Sequence, residues 1–535
     1  MTTQIMRCPM DMSGRNSIRW GLVAVAGLAA VVVVFYLEED WRGASAWKSY
    51  KLQLAARGEI TDRSQLVPPT VPDDQNLAST PFLAPLFDFV PGTQRTREPD
   101  AIERLRRVSP AYDAAASAVK PQKAARSNSW VTGRIDLGAW EAAFRKGSNA
   151  APLLRASKIS HPGSRPSAEA EAAAFVLSAL ADSDTVITEL RAASARPYAR
   201  FNVRYENDDP AGVLLPHYAA LNRVCQILQL RASAELTLGR TDQAFDDINL
   251  ILRLMNATRD EPILIGHLVR IAQLQLALQP LAEGLAKHEW SDSQLRGFEE
   301  QLLELDFCAA GRRALESERV IFGSALIDYL RHARNKIDAF SNIGGDRGEG
   351  KELQGVLLAA IPGGWFDFEK VNYNRMFEEY FLPAIDAPAR RVSPDTCRKS
   401  DAQMGVALNG SWPVLLLRHR AFSGFLLPAL SRAVERTAFA QSAADIGALA
   451  CALERYRLAH GNYPDSLESL VPKFISRQPH DVINGQPLEY VRAPDGQYLL
   501  YSVGWNETDD GGKIRLNKSG ESVDLKSGDW VWPLP

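Results

Sequence analysis

Apolar residues are continuous in one place along this chain and periodic elsewhere. Gly21 to Leu37 (GLVAVAGLAAVVVVFYL) carries no charge, and as a helix it is just long enough to cross a bilayer. From about Ser167 to Leu305 the apolar positions recur at helical spacing. Leu221, Val224, Leu228 and Ala232 lie on one face, Gly239-Arg240 breaks the run, and Phe245, Ile248, Leu252 and Met255 resume it, which predicts an antiparallel helical hairpin with Thr241 capping its second arm. A third helix is predicted over Leu268 to Leu278, stopping near Pro280. Ser291 is placed to cap a fourth, with Leu295, Phe298, Leu302 and Leu305 as its stripe.

Prolines and glycines divide the rest. Residues 38–166 read as a Pro-rich spacer with short helices; Val67-Pro68-Pro69-Thr70-Val71-Pro72 favours extended backbone, as a spacer or as a segment draped over another domain. Residues 167–385 form the helical region. Ala234 to Ala244 is similar to the turn of a tetratricopeptide repeat, but no 34-residue period follows, so an irregular solenoid-like region with TPR-like hairpins is expected. After a linker over 386–419, residues 420–535 change character: a long helix from Arg420 to Gly461 with Ile446, Leu449, Leu453 and Tyr456 facing inward, a short helix opened by Asp465 and Glu468, and strands over Leu488 to Arg492, Gln497 to Val503 and Lys513 to Leu516. The fold class expected is α+β multidomain: an N-terminal transmembrane helix, a mostly α-helical centre, and a C-terminal α+β head with a small antiparallel sheet.

Within that C-terminal segment, Leu453-Glu454-Arg455-Tyr456-Arg457-Leu458, Asn462-Tyr463-Pro464, Leu470-Val471-Pro472, Gln486-Pro487-Leu488-Glu489-Tyr490 and Leu500-Tyr501-Ser502-Val503-Gly504 follow one another in an order that resembles the globular head of the type II secretion major pseudopilin, a type IV pilin-like fold. The likeness covers roughly a fifth of the chain. It implies a pilin-like head over 420–535, an independently folding piece from about Ala438 to Pro535, and an assembly or interaction role beside secretion or pilus-type machinery. It does not extend to the pilin membrane helix: Arg418, His419 and Arg420 interrupt the stretch before Phe425, no prepilin-peptidase site precedes it, and the apolar span lies far upstream. The remainder resembles uncharacterised bacterial single-span membrane proteins through Pro68 to Asn76, which implies no activity.

Charge orients the span. Arg7, Arg15 and Arg19 precede it and Glu38, Glu39 and Asp40 follow, so residues 1–20 are expected as a cytoplasmic tail, 21–37 as a single span of the bacterial inner membrane, and the bulk as periplasmic or extracytoplasmic. Ala44-Ser45-Ala46 has the form of a signal-peptidase site, the competing reading. The net charge of -3 and the lack of a basic block exclude nucleic acid as a partner class; membrane and envelope proteins are the partners expected.

Motifs for chemistry are sparse. Gly345 to Lys351 fits the start of a phosphate-binding loop, but Glu352 stands where magnesium needs Ser or Thr, and Asp346 and Glu349 repel phosphate. The eight histidines show no metal spacing, the five cysteines form no C-x-x-C pair, and there is no G-x-S-x-G elbow. The resemblance implies one candidate site. Major pseudopilin heads bind calcium in the loop that corresponds to Asn506-Glu507-Thr508-Asp509-Asp510-Gly511-Gly512, making Asn506, Asp509 and Asp510 the candidate ligands, against a plain polar turn. Two function classes stay open: a non-enzymatic interaction or scaffold protein of the envelope, and an envelope enzyme with its site in the cleft between helical region and head.

Overall fold

The computed structural model describes residues 12–91, 95–106, 108–119, 133–147, 167–205, 209–342, 351–518 and 522–533, with 93, 131 and 207. The phosphate-loop motif at Gly345 to Gly350 and Cys8 lie outside them. The helices are α1 (Met12–Ala56), α2 (Ala101–Arg106), α3 (Pro110–Ala118), α4 (Leu137–Gly147), α5 (Ala168–Ala179), α6 (Asp184–Ala193), α7 (Pro216–Thr237), α8 (Thr241–Asn256), α9 (Leu264–Ala286), α10 (Asp292–Leu303), α11 (Phe307–Glu318), α12 (Ala325–His332), α13 (Lys336–Asn342), α14 (Lys351–Ala360), α15 (Gly363–Tyr380), α16 (Pro394–Ala407), α17 (Trp412–Leu417), α18 (Ala421–Leu426) and α19 (Ser431–His460). The strands are β1 (Ile385–Asp386), β2 (Arg391–Val392), β3 (Glu489–Arg492), β4 (Tyr498–Ser502), β5 (Ile514–Leu516), β6 (Val523–Gly528) and β7 (Trp530–Val531). The fold is thus mostly helical, with small antiparallel sheets near the C-terminus. The chain forms two compact units: Met1–Thr61 with Gly323–Arg375 and Leu408–Phe425, and Asp62–Phe322 with Met376–Ala407 and Leu426–Pro535.

In the first unit the apolar run does not end its helix. It continues without a break into Trp41 to Ala56, because no Pro after Leu37 removes a donor from the backbone ladder and the single Gly43 costs it little. The apolar window is wholly exposed, as a membrane-spanning helix is in the absence of lipid. Beyond it, Tyr50 and Leu54 are buried against Val371 of α15, with Trp47 beside them. One turn after the span, α1 meets the start of α15. Asp40 Oδ1 accepts the Gly364 N–H at 2.7 Å and Glu39 Oε2 accepts Trp365 Nε1–H at 3.1 Å, so one acidic side chain caps a backbone donor in the first turn of α15 and the other takes an indole donor beside it. The approach requires glycine: a Cβ on Gly43 would stand 2.1 Å from the Gly364 carbonyl oxygen. Further along α15, the fully buried Glu369 accepts the N–H groups of Ala421 and Phe422, the first residues of α18, at 2.8 and 3.2 Å.

The second unit is built on packed helices. The hairpin predicted around Gly239 forms as α7 and α8, and both pack on α9. Leu221, Val224, Leu228, Ala232, Ile248, Leu252 and Met255 are buried; Phe245 is only half-buried, its ring 4.9 Å from that of Phe298 on α10. Thr241 is the first residue of α8 and makes no side-chain cap, whereas Ser291 caps α10 in a capping box with Gln294. Pro280 does not stop α9, which runs on to Ala286. The proline lies buried inside the helix, where tertiary packing holds the backbone despite the missing N–H.

Helix α19 starts at Ser431, eleven residues later than the pattern predicts, because Pro428 sits in a separate 3-10 turn over Leu427–Ala429. Gly461, with φ of 81°, ends it. Every residue from Thr437 to Arg455 is buried, for α9, α10 and α11 cover the helix as well as β4 and β7. Strands β3 and β4 pair antiparallel about Ala493 to Gly496 as expected, but the third strand of that sheet is β7; β5 pairs with β6 in a separate ribbon. A run of three residues such as Ile514–Leu516 carries too little alternation to choose its own partner.

Candidate functional site

The loop from Asn506 to Gly512 joins β4 to β5 and is closed by its own donors. Tyr501 OH donates to Asp509 Oδ1 at 2.9 Å, as does Gly511 N–H at 2.8 Å; Asn506 Nδ2 donates to Asp510 Oδ2 at 2.8 Å, and Thr508 N–H to Asn506 Oδ1 at 3.3 Å. Beneath it lies Asp529, fully buried, accepting the N–H groups of Asp510, Gly512 and Lys513 at 3.2, 2.7 and 3.2 Å. Burial raises its carboxyl above the usual range against the pull of those donors. The loop therefore turns its N–H groups inward onto an anion, whereas a calcium site turns oxygens inward onto a cation. Among the described residues no three His, Cys, Asp or Glu side chains converge to hold a metal ion. Asn506 and Asp510 are bonded to each other, and Asp509 to Tyr501 and Gly511.

A shallow cleft of about 410 Å³ lies between α10 and the segment Pro472 to Arg477. Its central charge is already engaged: Arg455 reaches Asp292 at 2.9 Å, the Phe474 carbonyl at 2.8 Å, and Glu299. A guanidinium with three acceptors at this distance from solvent fastens α19 to α10.

A second cleft, also of about 410 Å³, was not legible in the sequence because its walls come from three distant stretches. The Pro-rich segment forms one wall and is draped, not free. Leu77 N–H donates to the Tyr198 carbonyl at 2.9 Å, Tyr198 N–H to that of Gln75 at 3.1 Å, and the Asn76 side chain is bonded both ways to the backbone of Arg200, at 2.9 and 2.7 Å. Residues 197–205 form the second wall and the α8–α9 connection the third. Arg200 donates to the Pro68 carbonyl at 3.0 Å; Arg253 donates to the carbonyls of Ser194, at 2.9 Å, and Arg196. Burial and the neighbouring Arg259 lower the Arg253 pKa. At the base, Glu261 is engaged with His217 Nε2 at 2.9 Å and with the Tyr218 hydroxyl. The Tyr205 hydroxyl, on a side chain 1 % exposed, has no hydrogen-bond partner among the described residues. Compared with known protein families, curated proteins and solved structures, the chain matches none.

Proposed function

We propose that this protein is a single-span, membrane-anchored module of the bacterial envelope that works by binding, with its bulk outside the cytoplasm, beside secretion or pilus-type machinery of the class its C-terminal resemblance implies. One observation carries the reading: the exposed apolar helix is continuous with residues built into a folded unit. Cleavage after Ala46 would remove Glu39, Asp40 and Gly43, and with them the cap and close approach at the start of α15. That favours a retained anchor over a signal peptide. Reporter fusions near residue 60 are expected to read as extracytoplasmic, and the intact mass of the protein purified from membranes is expected to include residues 21–46. A cytoplasmic reporter signal, or a mature N-terminus at Trp47, overturns the anchor. Co-purification after cross-linking in membranes tests the interaction role, with secretion-apparatus subunits as the expected class.

A further inference from the structure

We propose that the cleft walled by Pro68 to Val71, by residues 197–205 and by the α8–α9 connection binds a small organic anion: its acidic group against Arg253 and Arg259, and its apolar body against the ring of Tyr198 and the flanking prolines. The inference is independent of the membrane anchor.

The charge balance is the first ground. Arg200 and Arg253 are anchored through carbonyl oxygens, which hold the guanidinium groups in place without neutralising them. The two acids that line the cleft are occupied elsewhere, Glu261 with His217 and Tyr218, and Asp260 with Arg259 at 3.4 Å. Arg253 is thus held in place with no carboxylate of its own, and Arg259 has only an exposed pair with Asp260 that an incoming anion exchanges at little cost; together they form a recognition element for a carboxylate or phosphate.

The second ground is the orphaned hydroxyl. A buried polar atom without a partner is costly, and native proteins keep such groups where a ligand or ordered water completes them. Tyr205 is one of the residues lining this cleft, with its hydroxyl buried just beneath the surface, and burial together with the nearby Glu261 raises its pKa, so it remains a donor, as an incoming acceptor requires. Shape is the third ground. Tyr198 is 47 % exposed in a cleft whose apolar lining also holds Pro68, Pro69, Val71, Pro197 and Phe201, and the volume is that of a site for a small molecule.

The test uses full-length protein in detergent or nanodiscs, with hippurate as an aromatic carboxylate and hippuramide as its uncharged counterpart, followed by saturation-transfer NMR and calorimetry. Hippurate is expected to bind saturably and hippuramide about tenfold more weakly, the difference that one charge-assisted contact makes. Arg259→Gln, at an exposed side chain, and Tyr205→Phe, which removes only the hydroxyl, are each expected to weaken hippurate several-fold. Arg259→Gln is expected to leave the melting temperature and hippuramide binding unchanged. Equal affinity for the two probes, no saturable binding of either, or undiminished hippurate binding in both variants overturns the proposal.

Discussion

Buried carboxylates that accept hydrogen bonds from the backbone recur through this structure. Glu318 receives the Leu264 N–H at the start of α9, Glu369 those at the start of α18, Asp481 those of Ile483 and Val503, and Asp529 those of the loop after β4. Burial pushes Glu318 up to about 7 and Glu369 to about 8, and Asp247 and Asp445 to about 6, against the pull of donors or arginines. An acid whose folded pKa lies above its unfolded one holds its proton in the folded state after the unfolded chain has lost it. Its contribution is complete below the unfolded pKa and is lost as pH rises through the folded one. Stability is therefore expected to fall between about pH 5 and pH 8, and the fall to lessen in Glu318→Gln and Glu369→Gln; thermal melts across that range check it. Asp529→Ala, which strands three inward N–H groups, is expected to cost about 1 to 3 kcal/mol. Calcium and chelator are expected to leave the melting temperature unchanged, since Asp509 and Asp510 are already bonded; a calcium-dependent rise abolished by Asp509→Ala with Asp510→Ala would instead establish the metal site. None of these caps was legible in the sequence, where only a neighbouring Ser, Thr or Asp signals one. The local rule found Ser291 and failed at Thr241, because α8 starts one residue too early for that side chain to serve.

Among the elements, α19 shows how far pattern reading reached. Its existence, its Gly461 stop and its buried Ile446, Leu449 and Leu453 were readable, since helical period and a left-handed glycine are local signals. That its opposite face is also buried was not, because Ala440, Ser442, Ala443 and Gly447 look neutral in sequence and serve here to let α10 and the sheet approach from both sides. The segment from Ala438 to Pro535 shares its helix with the core of α9, α10 and α11, which weighs against its folding alone. Produced by itself, it is expected to melt without a cooperative transition and to aggregate, as followed by circular dichroism and light scattering. Leu302→Ala, at a position 1 % exposed, is expected to cost about 2 to 5 kcal/mol in the full chain, and Phe245→Ala less, because part of that side chain already meets water. Strand pairing was misread for the same reason as the caps: the partner of β4 is decided by β7, whose Trp530 packs on Phe439, and short strands carry no register of their own.

Across the whole molecule the chain contributes to each unit in three separate stretches, so the boundaries drawn from prolines and glycines do not coincide with the packed units. A chain begun at Asp62 would lack Asp40, Trp47, Tyr50 and Leu54, leaving α15 without its cap and an apolar patch uncovered. Amide exchange over residues 363–375 is expected to accelerate about tenfold or more, with α7 to α9 unaffected, a contrast that mass spectrometry resolves. The continuity of α1 has a further consequence for geometry at the bilayer. A helix advances 1.5 Å per residue, so Asp40 lies only about 5 Å beyond Leu37 along the axis. Were α1 to span a bilayer, the unit it enters would not be a tethered body searching the space above the lipid. It would stand at a fixed height close to the headgroups and be indexed in azimuth as well, since each added residue would turn it about 100° around the helix axis. A single alanine inserted after Leu37 would thus leave the same fold facing a different direction.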